Sequence, residues 1–500
     1  MNYANVKSRV LLGVCAHAVT VEIHLTPGIP RFTIVGLPET AVRESKDRVL
    51  SALNTCGFKL PAKKITVNLA PADLPKQGSH FDLAIALGIL AANEQLPQAE
   101  LDQYEFIGEL SLSGELKLRD NMLAIALAHK ENLPMILPST DDPSGIVSRS
   151  TLYGADHLNA VIAHLKKQAT LSRLETHNTL LDTPHALDII NIKGQSQAKH
   201  ALMLAAAGGH SLLMSGPPGT GKTMLASHLA SILPPMKKDE AIESAIVRLL
   251  HHNVFDNKSA WQRPFRSPHH SASHIALVGG GNPPRPGEVS LAHLGILFLD
   301  ELPEFTRATI NALRQPIEDG RITIARASHS VDFPARFQLI AAMNPCPCGY
   351  YNDPEHECRC TPAQIQNYLA KISGPILDRI DMQIHVPRIS IDELNATETD
   401  TLGHSVYIRE QVVKVREKQL SRQGKINAQL NGEELNSITV FNVEAKHTLD
   451  EAAKRFKLSI RSYHRVMRVA RTIADWQSQD TVSKAHVLQA LSYRLLNTVF

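Results

Sequence analysis

A glycine-rich octapeptide in the middle of the chain constrains the fold more than any other stretch. It fits the pattern G-x-x-x-x-G-K-[ST] and consists of Gly216, Pro217, Pro218, Gly219, Thr220, Gly221, Lys222 and Thr223. An apolar run before it predicts a buried strand, and the residues after it predict a helix. Such a loop holds phosphate because glycines let backbone N–H groups close around it, and the helix N-terminus adds positive potential. We therefore predict a nucleotide site in which Lys222 contacts the β- and γ-phosphates and the Thr223 hydroxyl binds Mg²⁺.

Two further apolar runs end in polar residues that suit the same site. Residues 295–299 are followed by Asp300 and Glu301. We expect Asp300 to hold Mg²⁺, directly or through water, and Glu301 to polarise the attacking water. The third run ends at Asn344, whose amide would orient that water, although a polar strand end is otherwise ordinary turn chemistry. Together these motifs resemble the core of an AAA+ ATPase, which implies an α/β fold with a parallel sheet and binding of ATP with Mg²⁺.

The AAA+ resemblance implies roles for three further residues. The segment around Arg379 resembles the one that carries an arginine finger, so Arg379 would complete a neighbouring subunit's site. The segment before Arg461 resembles the start of the sensor 2 helix, which implies that Arg461 acts at the γ-phosphate, in cis or in trans, with Arg465 as the fallback. A surface ion pair is the alternative for each arginine. Ile192 would pack on the adenine. A finger that acts in trans requires an oligomer, and the resemblance implies a ring, usually a hexamer.

Two segments resemble inserts that contact substrate in one AAA+ clade. Asp300 lies 78 residues after Lys222, which is more than a minimal core requires. Residues 263–282, rich in Gly, Pro and His, resemble the helix-2 insert, and residues 322–333 resemble the hairpin before sensor 1. In that clade both elements project into the pore of the ring, although packing between subunits is an alternative. The candidate contacts to DNA phosphates are Arg266, His270, Arg326 and His329.

A cluster of cysteines predicts a metal site. Four of the six cysteines lie within 15 residues, namely Cys346, Cys348, Cys358 and Cys360. Tetrahedral Zn²⁺ takes four thiolates, and two close pairs on one loop supply them, although C-x₂-C is the more usual spacing. We predict structural Zn²⁺, with buried free thiols or a redox disulfide as alternatives and His356 as a spare ligand. The two remaining cysteines, Cys15 and Cys56, are expected in the core.

The composition is that of a globular protein with several domains. The chain has 500 residues, of which 43% are hydrophobic and 20% are charged. It has neither a long apolar run nor the pattern of a signal peptide, so we expect a cytoplasmic location and no membrane partner. The net charge of +3 does not indicate a nucleic-acid partner. Residues 405–500 hold 16 Lys and Arg against 9 Asp and Glu, which is compatible with DNA binding or with a solvated helical face.

The chain divides by pattern into four parts. They are an α/β domain (1–165), a polar linker (166–187), the ATPase core (188–390) and a helical lid that carries sensor 2 (391–500). In the first domain, the alternation over residues 19–25 predicts a half-buried strand. Residues 32–35 follow a Pro-Gly turn and are expected to be its hairpin partner. Residues 83–92 predict a buried helix, and residues 109–118 a hairpin.

Longer strings connect the chain to one AAA+ family. Residues 265–270, 286–293 and 299–305 match the magnesium-chelatase-like AAA+ family closely. In the N-terminal half, residues 35–39, 67–76 and 81–87 resemble a branch of bacterial competence proteins, and the resemblance covers essentially the whole chain. It implies a hexameric, ATP-driven DNA helicase that promotes branch migration, extending recombination between incoming single-stranded DNA and the chromosome during natural transformation.

The N-terminal domain is similar to the Lon protease domain, of the S5-type α/β fold, which uses a Ser/Lys dyad. The matched serine position is Gly78 and the matched lysine position is Leu123, and neither residue can perform the chemistry. Ser79 is adjacent, but no lysine stands in the matched place. We therefore predict a non-proteolytic scaffold that serves ring assembly or DNA entry.

Two other function classes remain as alternatives to a DNA motor. One is the motor subunit of a magnesium chelatase, although such subunits begin near the phosphate-binding domain and this chain carries an extra N-terminal domain. The other is a protein-remodelling chaperone. DNA stimulation of ATP hydrolysis distinguishes the motor from both, and contacts to the DNA backbone would make it independent of sequence.

Overall fold

The computed structural model describes residues 2–130, 133–140, 149–174, 187–251, 261–281, 284–325, 330–372, 374–389 and 404–494. The chain forms two compact units. The first comprises Met1–Leu181, Lys237–Gln262 and Ala325–Asp332. The second comprises Asp182–Met236, Arg263–Ile324 and Phe333–Phe500. The division into four functional domains remains a prediction.

The N-terminal part of the first unit is a mixture of strands and helices. Its strands are β1 (Tyr3–Leu12), β2 (Cys15–Thr26), β3 (Arg31–Val35), β4 (Lys64–Ala70), β5 (Glu105–Phe106), β6 (Glu109–Leu110), β7 (Leu116–Lys117), β8 (Met135–Pro138), β9 (Leu152–Ala155) and β10 (Ser172–Arg173). Its helices are α1 (Thr40–Arg43), α2 (Ser45–Thr55), α3 (Asp82–Ala92), α4 (Gln98–Leu101), α5 (Asp120–Ala128) and α6 (Leu158–Leu165).

The first sheet has the strand order β1-β2-β4-β3. Strand β2 buries every second residue from Val19 to Leu25, and all of α3 is buried, as the patterns predict. The hairpin of β6 and β7 is also confirmed. The prediction that β3 forms a hairpin with β2 is wrong, because β3 pairs in parallel with β4, which lies between them. Helices α1 and α2 form the crossover that returns the chain in the parallel direction.

A buried charge network joins β1 to β5. The Arg9 guanidinium donates two hydrogen bonds to the Glu105 carboxylate, at 2.6 and 2.9 Å, and neither side chain is more than 4% exposed. The Nε2 atom of His129 lies 3.0 Å from the same carboxylate. Burial opposes ionisation of Glu105, but His129 and Arg9 outweigh it and hold the pKa of this carboxyl below its usual value. The network therefore fixes the two strands to each other through paired charges.

From residue 187 onward, the described chain contains the following elements. The strands are β11 (Leu212–Ser215), β12 (Phe265–Arg266), β13 (Gly279–Gly280), β14 (Arg285–Pro286), β15 (Ile296–Leu299), β16 (Arg321–Ala325), β17 (Ser330–Pro334), β18 (Gln338–Met343), β19 (Met382–His385), β20 (Val440–Phe441) and β21 (Thr481–Val482). The helices are α7 (Ser196–Gly208), α8 (Lys222–Ile232), α9 (Lys238–His251), α10 (His274–Val278), α11 (Glu288–Leu291), α12 (Arg307–Ala312), α13 (Arg314–Asp319), α14 (Pro362–Ala370), α15 (Gly374–Leu377), α16 (Ser405–Gln423), α17 (Gly432–Ile438), α18 (Val443–Arg455), α19 (Ile460–Trp476) and α20 (Lys484–Ser492).

The second unit is built on a sheet with the order β12-β15-β18-β11-β19, in which every adjacent pair is parallel. This confirms the parallel α/β sheet expected from the sequence. The C-terminal helices share one apolar core with the sheet, since Val466 and Ala470 of α19 belong to the same cluster as Met214 and Phe298. Among the described residues, no helix combines the length and apolar character needed to cross a membrane.

Two segments from the ATPase region of the sequence fold with the first unit. Helix α9 packs against α5, and Arg149 donates a hydrogen bond of 2.7 Å to Asp239. Strands β16 and β17 pair with each other as predicted. A Cβ atom on Gly13 would lie only 2.8 Å from the carbonyl oxygen of Asp332 in β17. The first unit is therefore assembled from three separate stretches of sequence.

We expect Glu105→Ala to lower the free energy of unfolding of the first unit by about 3–5 kcal/mol, because it leaves the Arg9 guanidinium buried without its carboxylate. Since the folded-state pKa of Glu105 is lowered, its stabilisation is present above the unfolded-state pKa and is lost as the pH falls through the folded-state value. Denaturant unfolding in a Trp476→Phe background measures this, because the remaining Trp261 belongs to the first unit. Lys167→Ala, which removes an exposed ion pair with Glu100, is the control. An equally small effect of both substitutions would contradict the assignment.

Candidate functional site

The glycine-rich loop joins β11 to α8 at the carboxyl edge of the parallel sheet, as the sequence predicts. Gly219 and Gly221 adopt left-handed backbone conformations, with φ values of 79° and 80°, which favour glycine. At Gly216 the restriction is steric, because a Cβ atom would lie 2.2 Å from the Val386 carbonyl oxygen. The spacing of the motif therefore follows from the geometry of the turn.

Lys222 is folded back onto this loop. Its ammonium donates hydrogen bonds of 2.7 Å to the carbonyl oxygens of Gly216 and Pro217 and lies 3.3 Å from Asn344 Oδ1. Burial lowers the pKa of Lys222 to about 8, whereas Asp300 and Glu301 act in the opposite direction. Because its hydrogen-bond partners here are neutral, the ammonium keeps its charge available for an anionic ligand.

Carboxylates from the neighbouring strand complete the edge. The Thr223 hydroxyl donates a hydrogen bond of 2.7 Å to Asp300 Oδ2. A hydroxyl and a carboxylate in this arrangement fit the oxygen donors that Mg²⁺ prefers. Glu301 follows in a left-handed conformation with φ of 50°, which is uncommon outside glycine and clusters at functional sites. Its carboxylate lies 3.3 Å from His270 Nδ1.

The polar residues predicted to bind ATP thus meet at the carboxyl edge of the sheet, whereas Ile192 lies elsewhere. Lys222 is hydrogen-bonded to Asn344, and Thr223 is hydrogen-bonded to Asp300. Ile192 is only 1% exposed and lies in the apolar core of the unit. Its contact with adenine, like the catalytic roles of the other residues, remains a prediction.

The predicted finger and sensor arginines converge on Glu318 of α13. Arg379 is only 4% exposed and its guanidinium contacts the Glu318 carboxylate. Arg461 is 62% exposed, and its Nη2 atom lies 4.0 Å from the same carboxylate. Arg465, the fallback for sensor 2, binds Asp381 at 2.6 Å and the Arg379 carbonyl oxygen at 2.7 Å. Burial opposes ionisation of Asp381, but Arg465 and His210 outweigh it and hold its pKa below the usual range, so Arg465 has a structural partner within the unit.

Two of the four residues predicted to contact DNA lie in the described part of the chain, and both lie against carboxylates of this protein. Arg266 forms two hydrogen bonds with Glu288, at 2.6 and 2.7 Å, and His270 lies against Glu301. Arg326 and His329 fall outside the described residues. The sequence motif around residues 265–270 flagged His270, but nothing in it indicated that its partner would be the predicted base.

The basic C-terminal region directs several arginines into the protein. Each of these arginines donates a hydrogen bond to a main-chain carbonyl oxygen or to a carboxylate of a buried residue. The pairs are Arg416 with Ala206, Arg422 and Arg471 with Asp475, Arg468 with Leu430, and Arg494 with Ile380. The surplus of positive charge therefore serves internal packing to a large extent. It gives less support to DNA binding than the sequence count implies.

The four clustered cysteines meet in space. Their sulfur atoms all lie within 4.8 Å of one another, and three of the separations are 3.3, 3.6 and 3.7 Å. Four sulfurs at 2.3 Å from one Zn²⁺ in a tetrahedron would be about 3.8 Å apart, so the cluster fits this ion. His356 instead stacks on Tyr350 with 4.9 Å between the ring centroids. The expectation that Cys15 is a core residue is wrong, because Cys15 is exposed where β2 begins.

The positions matched to a Ser/Lys dyad hold no such pair. Gly78 has φ of 86°, and Leu123 is buried on α5. The neighbouring Ser79 hydroxyl hydrogen-bonds the Glu109 carboxylate, which Arg119 binds at 2.8 Å. A carboxylate paired with a guanidinium is a weak base, so this arrangement does not activate the serine.

The lowered pKa of Lys222 predicts that ATP affinity falls in mild alkali. A bound triphosphate raises this pKa, so affinity is full below about pH 8 and declines as the pH rises above it. We expect binding of a fluorescent ATP analogue with Mg²⁺ to weaken by up to about tenfold between about pH 7 and about pH 9. Lys222→Arg, whose guanidinium stays charged, should show no such decline in its residual binding. Equal pH dependence in both proteins would rule out Lys222 as the titrating group.

Comparisons with known proteins agree with this geometry. Three family models match the chain, described as magnesium chelatase, subunit ChlI (residues 188–394), subunit ChlI of Mg-chelatase (residues 21–141), and magnesium chelatase, subunit ChlI C-terminal (residues 403–494). The chain is 48% identical to competence protein ComM of Haemophilus influenzae, over 99% of this chain and 98% of that protein. It is 46% identical to protein YifB of Salmonella typhimurium, with the same two coverages. It is 36% identical to protein Mb2921c of Mycobacterium bovis, over 96% of each. The chain therefore belongs to the magnesium-chelatase-like AAA+ ATPases, in the group that contains the ComM and YifB proteins.

Proposed function

We propose that this protein is a hexameric ATP-driven DNA helicase that promotes branch migration during natural transformation. The observation that carries the ATPase part is the meeting of the phosphate-binding loop, Asp300, Glu301 and Asn344 at one edge of a parallel sheet. The DNA part is supported by full-length similarity to a protein named for competence. Because the DNA involved is chromosomal, we also propose a cytoplasmic location.

The chemistry assigned to the site follows from its polar groups. Lys222, Thr223 and Asp300 would hold MgATP, and Mg²⁺ supplies charge neutralisation at the phosphates when bound. Glu301 would accept a proton from the attacking water, and Asn344 would orient that water. The contact between Glu301 and His270 ties the proposed base to the segment that resembles the helix-2 insert.

In a ring, a neighbouring subunit would supply further positive charge at the γ-phosphate. Arg379 would act in trans, which requires its guanidinium to exchange Glu318 for the γ-phosphate of the neighbouring subunit. Arg461, whose Nη2 atom lies 4.0 Å from the same glutamate, would act at the γ-phosphate as sensor 2, in cis or in trans. Helices α16 to α20 would form the lid that carries sensor 2 in this arrangement.

The remaining parts of the chain receive supporting roles. The segments that resemble the helix-2 insert and the pre-sensor 1 hairpin would contact the DNA backbone, so binding would be independent of sequence. The N-terminal unit would be a Lon-like scaffold without protease activity. The four clustered cysteines would bind one structural Zn²⁺.

Metal insertion into a porphyrin is the alternative function, because the matching family models are named for magnesium chelatase. The alignment over 98% of a competence protein favours DNA instead. A protein-remodelling chaperone is the other class, and no observation in the structure favours it.

Strand displacement on a three-stranded branched DNA tests the proposal. We expect the native protein to move the branch only with ATP and Mg²⁺, and Glu301→Gln to bind ATP yet lose at least about 100-fold in branch movement, because it lacks the proton acceptor. Glu451→Gln, which makes the same substitution at an exposed carboxylate of α18, is the control. Failure of the native protein to move any branch would refute the motor function.

Mixed rings test the action of Arg379 in trans. Arg379→Ala should bind ATP normally but hydrolyse it at least about 1,000-fold more slowly, because transition-state charge is left uncompensated. Lys222→Ala should fail to bind ATP. Mixing the two inactive variants should restore part of the hydrolysis, since an intact Lys222 site can receive an intact Arg379. No recovery from rings that demonstrably contain both variants would place Arg379 outside the neighbour's site.

A further inference from the structure

The loop that carries the four cysteines, residues 346–360, lies directly against the phosphate-binding loop. Gly349 is buried and left-handed, with φ of 87°. A Cβ atom there would lie 2.7 Å from Pro218 Cδ and 3.9 Å from Asn344 Cγ, whereas ordinary contacts begin near 3.4 Å. Glycine therefore lets the backbone of the cysteine loop touch Pro218, and the cysteine loop forms one wall of the phosphate-binding loop.

The cysteine loop is also connected to Asn344 from both of its ends. Asn344 stands two residues before Cys346, and its Oδ1 atom lies 3.3 Å from Lys222 Nζ. After the loop, α14 carries the buried Tyr368. Burial raises the pKa of Tyr368, and the main chain of Asn344 acts in the opposite direction. A displacement of the cysteine loop would therefore move Asn344 as well as Pro218.

The sulfur cluster and the contacts of one carboxylate, Asp353, hold the shape of this loop. From residue 351 to residue 361 no residue is buried, and none belongs to a helix or strand. Although the residue as a whole is partly exposed, the Asp353 side chain has no exposed surface. It forms a hydrogen bond of 3.1 Å with Arg388, which follows β19, and it accepts two more from the main-chain N–H groups of Glu355 and His356. These contacts are few for an irregular segment, and a metal ion held by four thiolates would add a cross-link between its two ends.

We propose that Zn²⁺ bound by Cys346, Cys348, Cys358 and Cys360 sets the affinity of the phosphate-binding loop for ATP. With the metal bound, Gly349 stays against Pro218; without it, the wall of the phosphate-binding loop is lost. Because the coupling is reciprocal, bound ATP also raises the affinity of the cysteines for Zn²⁺. This inference rests on the proposed ATP site, but it does not depend on any activity toward DNA.

The test compares zinc content and ATP affinity in the full-length protein. Zinc is measured by mass spectrometry, and binding of a fluorescent ATP analogue is titrated in excess Mg²⁺ before and after treatment with a zinc-selective chelator. We expect about one zinc per chain, a loss of about 10- to 100-fold in ATP affinity on chelation, and recovery when Zn²⁺ alone is added. Unchanged ATP affinity in folded, zinc-free protein would overturn the inference.

Three variants distinguish the effect of zinc binding on ATP affinity from the effect of the position of the cysteine loop. Gly349→Ala keeps all four thiols but forces a methyl group toward Pro218, so it should retain zinc and lose ATP affinity. Cys348→Ser combined with Cys358→Ser should lose both. Cys15→Ser combined with Cys56→Ser, which changes the two cysteines outside the cluster, is the matched control and should keep both.

The outcomes are distinct from those that bear on the DNA proposal. Gly349→Ala that holds zinc and binds ATP like the native chain would show that the contact with Pro218 does not set the affinity. Zinc-dependent ATP binding in a protein that does not move DNA branches would refute the motor function and leave this inference standing.

Discussion

The parallel pairing of β11, β15 and β18 is the constraint on which the rest of the site depends. Strands that run in the same direction end at the same edge of a sheet, and each of these three ends in a different polar group. β11 leads into the glycine-rich loop, β15 into Asp300 and β18 into Asn344. A shift of one residue in any pairing would turn these groups to the other face, so the buried apolar strands fix the chemistry at their ends.

The local parts of this arrangement were predictable from the sequence. The glycine spacing, the apolar runs and their polar ends are patterns within short windows, and they gave the phosphate-binding loop, the strands and the buried helix α3. The non-local parts were not. The placement of β3 beside β4 depends on the crossover helices, and the packing of α9 on α5 joins residues more than 100 positions apart. No short-range pattern records such pairings.

Charge was the least reliable guide to function. The surplus of Lys and Arg in residues 405–500 suggested an exposed basic surface, yet arginines such as Arg465 and Arg494 bind groups inside the unit. An arginine can satisfy several buried carbonyl oxygens at once because it has five donors in a fixed fork. Composition counts the charge but not its partner, and so the proposal that DNA is the partner rests on the similarity to a competence protein.

The central claim is that ATP hydrolysis at this sheet edge is coupled to DNA. The measurement that tests it most directly is the steady-state ATPase rate of the native protein, recorded with and without single-stranded and branched DNA at several salt concentrations. The account predicts strong stimulation by DNA that weakens as salt rises, because phosphate contacts release counterions. An ATPase rate that is indifferent to DNA at every salt concentration would contradict it.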